Sequence, residues 1–279
     1  MLWTKEIVIM KTIALLALTV SLLGIMALGV LRFRENSRTN RIRRALRVPG
    51  EPQDVFSPEM VEGLPPVAQR YLLHAIEPGT PLARWVEIEM RGEVRPAGEW
   101  MPFEAEQILT PGRGFIWMAR AKKGFVPLRV TDHYLAGGAR VRVALFGLIP
   151  IVNASGPEVA KSAAGRLLGE CVWLPSALLP QQGATWEKVD NSHATVTPGV
   201  DELKTTLTLT VDGEGRLEEV VFPRWRDTEG DFVPFGVAVE EERTFGGYTI
   251  PSKLRAGWWY GTDRYEEFFR ATIEGATFH

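Results

Sequence analysis

The chain has 279 residues, with 32 basic against 34 acidic side chains, 45% hydrophobic residues, four histidines and one cysteine. That composition excludes a disordered chain, and one thiol with four scattered histidines excludes an intrachain disulfide and the usual zinc clusters. The near-neutral total hides two unlike parts: the first fifty residues balance at +7 and the remainder at −9.

Residues 12–31, TIALLALTVSLLGIMALGVL, form an uninterrupted run of twenty uncharged residues. As a helix the run is roughly 30 Å long, enough to cross the hydrocarbon of a bilayer. A secretory signal peptide is the competing reading. The run exceeds the usual apolar core of about 7–15 residues, no clear A-x-A site comes after it, and arginines stand immediately beyond it, all of which favour an uncleaved anchor. Arg32, Arg34, Arg38, Arg41, Arg43, Arg44 and Arg47 lie after the span, whereas Lys5 and Lys11 precede it. The positive-inside bias therefore places the large domain in the cytoplasm. These arginines are expected to fix topology and to pair with anionic headgroups. Nucleic acid is not an expected partner, because the acidic domain would repel phosphate.

The expected division is an N-terminal flank over 1–11, a transmembrane helix over 12–31, a basic juxtamembrane segment and linker over 32–54, and one domain over 55–279. The linker VPGEPQD at 48–54 carries two prolines and a glycine, which stop helix. Pro65 and Pro66 then introduce a short helix in which Val67, Tyr71, Leu72 and Ile76 share one face. His74 on it has no partner at metal-ligand spacing and reads as a surface or packing residue.

From residue 85 the period changes. Val86, Ile88, Met90 and Val94 alternate with Glu87, Glu89, Arg91 and Glu93, the signature of a strand with one buried face. Similar runs occupy 103–109, 114–121, 126–134, 140–146, 193–197, 203–211, 217–225, 237–245, 248–258 and 265–273. Gly137-Gly138, Asp212-Gly213 and Gly246-Gly247 stand among the turns that separate them, the last two being strong hairpin signals. About ten strands joined mainly by short turns predict an antiparallel meander.

One helix interrupts the strands. Ser155 and Glu158 have the spacing of a capping box, Pro157 suits the first turn, and Pro175 disfavours helix at the residue before it, so helix is expected over about 156–173. Val159, Ala163, Leu167 and Cys171, with Ala160, Ala164, Leu168 and Val172, cover more than half of its circumference. Such a helix is buried on most sides, which an antiparallel sheet allows by curving around it. Gly165 and Gly169 permit close approach. The predicted fold class is therefore α+β and β-rich: a transmembrane helix, then a long curved antiparallel sheet, a half-barrel, packed around one main helix.

The phrases LPPVAQRYL (64–72), WMPFEAEQ (100–107), GFIWMAR (114–120), VTDHY (130–134), GPEVAKSAAGRLLGECVWLPSALLP (156–180) and RTFGGYTIPSKLRAGWWYGT (243–262) carry a resemblance. From about Leu64 onward the chain resembles a family of uncharacterised, membrane-anchored bacterial proteins with a domain of unknown function. That resemblance implies no reaction and no catalytic residues. The layout is also similar to the lipoprotein-carrier half-barrels (LolA/LolB-like), which implies an apolar ligand site cupped by the sheet. Such carriers work outside the cytoplasmic membrane, whereas the arginine excess here points inward.

Asp132 falls in phase with Leu128, Val130 and Tyr134, so an acid is turned toward the apolar face and needs a partner there. Arg166 and Glu170 lie one helical turn apart at the edge of the apolar arc, and Arg243 lies in phase with Val237, Val239 and Phe245. These four groups are expected to form one polar cluster inside the half-barrel, as an ion-paired network that holds helix to sheet or, less commonly, as a catalytic group. Trp117, Trp173 and Trp258 supply apolar surface with a single donor each, suited to a core or to gripping an acyl chain. No serine stands in a G-x-S-x-G elbow, Cys171 lies on the apolar helix face, and the glycine pairs mark turns without a phosphate loop. No cofactor or metal is expected. The function expected is a membrane-anchored binding protein for a lipid or other apolar molecule, with the bilayer as its partner. The rivals are a membrane-tethered enzyme using Asp132 with Arg166 or Arg243, and a structural or partner-binding module with a filled core.

Overall fold

The computed structural model describes residues 2–50, 54–96, 98–200 and 204–279. The middle of the expected linker and the first residue of the run expected over 203–211 lie outside these. Helix α1, Leu2–Leu46, is continuous through the apolar run and the arginine segment. From Met10 it is long and apolar enough to cross a membrane or to serve as a signal sequence. Helix α2, Pro66–Ala75, turns Val67, Tyr71 and Leu72 inward as their spacing predicts.

The strands are β1 (Val86–Val94), β2 (Met101–Thr110), β3 (Gly114–Lys123), β4 (Val126–Leu135), β5 (Gly138–Leu145), β6 (Ile149–Ser155), β7 (Thr185–Lys188), β8 (His193–Thr197), β9 (Leu207–Val211), β10 (Leu217–Arg226), β11 (Asp231–Phe245), β12 (Tyr248–Trp258) and β13 (Glu266–Phe278). They form one antiparallel sheet in the order β6-β5-β4-β3-β2-β1-β13-β12-β11-β10-β9-β8-β7. Two meanders thus meet where β1 pairs with β13, placing the chain's first and last strands side by side at mid-sheet. Alternation predicts eleven of these strands. It misses β6, an exposed edge strand with no alternating pattern, and β7, which has only four residues.

The two sheet edges, β6 and β7, are consecutive in the chain, and helix α3, Pro157–Gly169, lies in the connection between them. It packs on β4, β5 and β10, so the sheet curves around it as its wide apolar arc requires. The expected capping box does not form: the helix starts after Gly156, whose φ of 121° no other residue adopts readily, and Glu158 pairs with Lys161 at 3.0 Å instead. The last expected turn, Glu170–Trp173, is a tighter 3-10 turn. Gly169 is required where it stands, because a Cβ there would lie 2.3 Å from Cζ of Phe222 on β10. Gly246 and Gly247, with φ of 56° and 86°, make the two-residue turn between β11 and β12.

The C-terminal end of α1 rests on the outer face of the sheet. Ile42 and Leu46 are buried with Trp85, Ile108 and Ile116, the outward residues of β2 and β3 and of the approach to β1. The open carbonyls of the helix end are capped from the sheet: Thr110 Oγ1 donates to Leu46 O at 2.8 Å and Arg113 to Ala45 O at 2.9 Å. Arg43 and Arg47 pair with Glu106 and Glu87, and Glu35 pairs with Arg140 at 2.9 Å. At least two of the seven arginines therefore face the domain's own acids, a role beyond the expected pairing with headgroups.

Candidate ligand cavity

Inward residues of β3 to β5 on one side and of β10 to β13 on the other leave a cavity of about 550 Å³ beneath α3. Its walls are mainly apolar, with Val130, Val143, Phe222, Phe235, Leu254 and Phe269 among them. The volume lies in the range of roughly 300–1,000 Å³ usual for small organic ligands. Small residues on the lining, among them Ala121, Ala256 and Gly169, leave the space that larger side chains would fill. Ile151 and Val152 of β6 line it while remaining about half exposed, and Lys123 pairs with Glu99 at 3.7 Å, both also on the lining.

A polar cluster sits under the helix. Arg166 Nη1 donates to Asp132 Oδ2 at 2.7 Å, its Nε to Glu170 Oε1 at 2.6 Å, and its Nη2 to Gln107 Oε1 at 2.9 Å. Gln107 Nε2 closes the ring by donating to Glu170 Oε2 at 2.6 Å. The guanidinium also lies 4.5 Å above the Phe115 ring. Burial alone would pull Arg166 down, but the Glu170 and Asp132 charges outweigh it and hold the guanidinium above its ordinary value. The three charged side chains are 13–18% exposed, so solvent screens them little. As chemistry this is a closed network: both carboxylates share one guanidinium. Asp132 Oδ1 and its cross-strand neighbour Trp117 Nε1 are buried with no partner among the described residues.

Of the expected site residues, Trp117, Asp132, Arg166, Glu170 and Trp173 line this cavity, Trp173 fixed by its Nε1 donating to Pro251 O at 3.1 Å. Trp258 stands behind the wall, edge-on to Phe235 with ring centres 5.0 Å apart. Arg243 is not brought there. It is exposed, donates to Ile273 O at 3.4 Å, and lies with Arg43, Glu89 and Glu106 in a separate groove. The cause is a bulge in β11: Glu240 is an extra residue between Val239, which pairs with Leu254, and Glu241, which pairs with Lys253, and it reverses the alternation of β11 beyond Val239, while the next register shift takes its extra residue, Ser252, from β12. Glu242 consequently takes the inward place and meets His74 at 2.8 Å.

Two residues of the site escape the sequence reading. Gln107 is in phase with Phe103, Ala105 and Leu109, and Arg224 with Val220 and Phe222. Each shows the same signal that singles out Asp132: a polar residue at an inward position of an alternating strand. Arg224 Nε donates to Ser162 O at 3.1 Å, and its guanidinium lies 4.7 Å from the Phe235 ring centre and 5.0 Å from that of Trp258. Burial and the neighbouring Arg166 charge pull it down to about 10, so it remains a cation at neutral pH. Among the described residues, no group of three His, Cys, Asp or Glu side chains could hold a metal ion.

No curated protein matches this chain. Among solved structures it is similar to a DUF1329 family protein from Desulfovibrio piger, at 12% identity over 76% of this chain and 90% of that one, with a TM-score of 0.41. A LolA superfamily protein from Nitrosomonas europaea is similar at 10% identity over 76% and 92% of the two chains, with a TM-score of 0.40. Overlap at this level assigns neither a ligand nor a role to this chain. The family match is of another order, since it spans residues 54–271, and the chain belongs to the family of unknown function DUF6544.

Proposed function

We propose that the chain is a single-pass membrane protein whose domain binds one lipid or other apolar molecule close to the bilayer. The observation that carries this reading is the cavity of about 550 Å³ inside the half-barrel, apolar on most of its wall. A filled core, as a purely structural module would have, leaves no such space. Ile151, Val152 and the fully exposed Phe125, which belongs to the turn after Lys123, put apolar surface on the β3-β6 half of the sheet, where a greasy ligand could transfer without crossing open water. The apolar part of α1 supports the anchor, and the arginine excess after it supports a cytoplasmic domain.

The closed Arg166 network favours a structural duty for Asp132 and Glu170 over acid-base chemistry. Native mass spectrometry of the mildly solubilised full chain, with lipid extraction, tests the binding reading. A co-purifying apolar molecule is expected, and its absence from preparations made in several hosts would overturn the reading. Reporters fused at His279 test the orientation: activity of a cytoplasmic reporter is expected, and activity of a periplasmic one alone would reverse it.

A further inference from the structure

We propose that the ligand of this cavity is an anionic amphiphile, a single acyl chain ending in a carboxylate or phosphate, and that Arg224 on β10 holds its charged end. The inference rests on the reading of the cavity as an apolar-ligand site and adds the chemistry of the head. Three cations line the cavity among the described residues: Lys123 is exposed and pairs with Glu99, while Arg166 and Arg224 differ in what they are bound to. Each nitrogen of Arg166 has a partner, in Asp132, Glu170 and Gln107. Arg224 spends only Nε, on the Ser162 carbonyl. Its Nη1 and Nη2 have no hydrogen-bond partner among the described residues and are not sealed from solvent-sized space, in contrast to the buried orphans Asp132 Oδ1 and Trp117 Nε1.

No carboxylate lies within ion-pair distance of Arg224 among the described residues, although Asp132, Glu170 and Asp227 act on it from farther away, and Arg166 repels it. The Phe235 and Trp258 rings lie 4.7 and 5.0 Å from the guanidinium carbon and shield part of it from water. A part-buried guanidinium with a free fork is a strong receptor for a carboxylate or phosphate, which take two parallel hydrogen bonds from it. Gly165 of α3 makes room for the Arg224 stem, since a Cβ there would lie 3.1 Å from its Cγ. An uncharged apolar ligand would displace water from those donors and offer them no acceptor, which is costly. A small anion without a chain would leave the apolar wall unfilled.

The test compares three probes of one chain length, palmitate, hexadecyl phosphate and hexadecanol, binding to the detergent-solubilised full chain and to Arg224→Met. Wild type is expected to bind at least one of the two anions about tenfold or more tightly than the alcohol, the scale of a charge-assisted pair in a part-buried site. In Arg224→Met that preference should vanish while hexadecanol binding persists. Arg224→Lys should restore a weaker preference. Equal wild-type affinity for all three probes would overturn the head assignment and leave the cavity reading intact. A preference that survives Arg224→Met would also overturn it. Binding of none of the three by wild type would defeat the cavity reading itself. Should Arg224→Met fail to fold, the wild-type ranking decides alone. Inorganic phosphate at millimolar concentration is expected not to compete, and full competition by it would reduce the site to a plain anion site.

Discussion

Arg166 is held by two carboxylates at once, and that count decides what each substitution does. In Asp132→Asn the guanidinium keeps Glu170, so the loss is that of one charge-assisted hydrogen bond, about 1.5–3 kcal/mol. In Arg166→Met two buried carboxylates are left facing each other without a cation, and the cost rises to about 3–5 kcal/mol. Urea titrations of wild type, both single variants and the double variant form a cycle, in which a coupling of about 1 kcal/mol or more is expected between the two side chains. A coupling of zero would mean that the 2.7 Å contact between Arg166 and Asp132 is not made. At this scale the sequence is informative because inward phase is a local property. Asp132 is found by its place in one strand, and Gln107 and Arg224 are open to the same argument. Arg243 defies it, since a bulge at Glu240 shifts every later side chain of β11 to the other face.

Among the elements, β1 and α1 make contacts that single positions control. Gly92 on β1 faces Ala271 on β13, at the junction of the two meanders, and a Cβ there would stand 1.9 Å from the Arg270 carbonyl oxygen. That obstacle is backbone of a paired strand, so it cannot turn aside. Gly92→Ala is expected to lower stability by about 1–3 kcal/mol, read as a lower urea midpoint, and an unchanged midpoint would mean that the strands do not approach so closely. Helix α1 covers His133, which is only 6% exposed. Burial first, and then the Arg38 charge, hold its imidazole below the ordinary value of 6.5. The folded protein thus resists a proton that the unfolded chain accepts. Stability should fall as pH drops through 6.5 toward the lowered folded value, and level off below it. Urea midpoints between pH 7.5 and 5.5 check this: the decline should be shallower in His133→Phe, and equal slopes would show that His133 does not drive it.

For the whole molecule, the apolar run and the domain are joined without a break, because the helix that carries the run ends by packing on the sheet. Replacing both Leu16 and Leu22 by Arg puts two charges where hydrocarbon is expected, at about 2.5–3.5 kcal/mol each on the insertion scale. Loss of membrane association is expected after carbonate washing of cells expressing the double variant. Retention would show that the apolar run is not the main attachment. The domain's own fold should survive the change, since both side chains are exposed and far along α1 from the packed residues Ile42 and Leu46.

Local sequence is enough to read the apolar span, the short helix after Pro66, the buried helix from Pro157 and eleven of the strands, because each is written in a short period of hydrophobic residues or in a turn signal a few residues long. The curved sheet is legible too, since a helix apolar over more than half of its circumference needs a surface that wraps it. Tertiary packing alone settles that β1 pairs with β13, that α1 is capped by Thr110 and Arg113, that Arg243 faces away and that Arg224 faces a cavity. Those features depend on residues tens to hundreds of positions apart. A period records which face of a strand is apolar, and it holds no record of which strand lies opposite or of how much space remains when the faces meet.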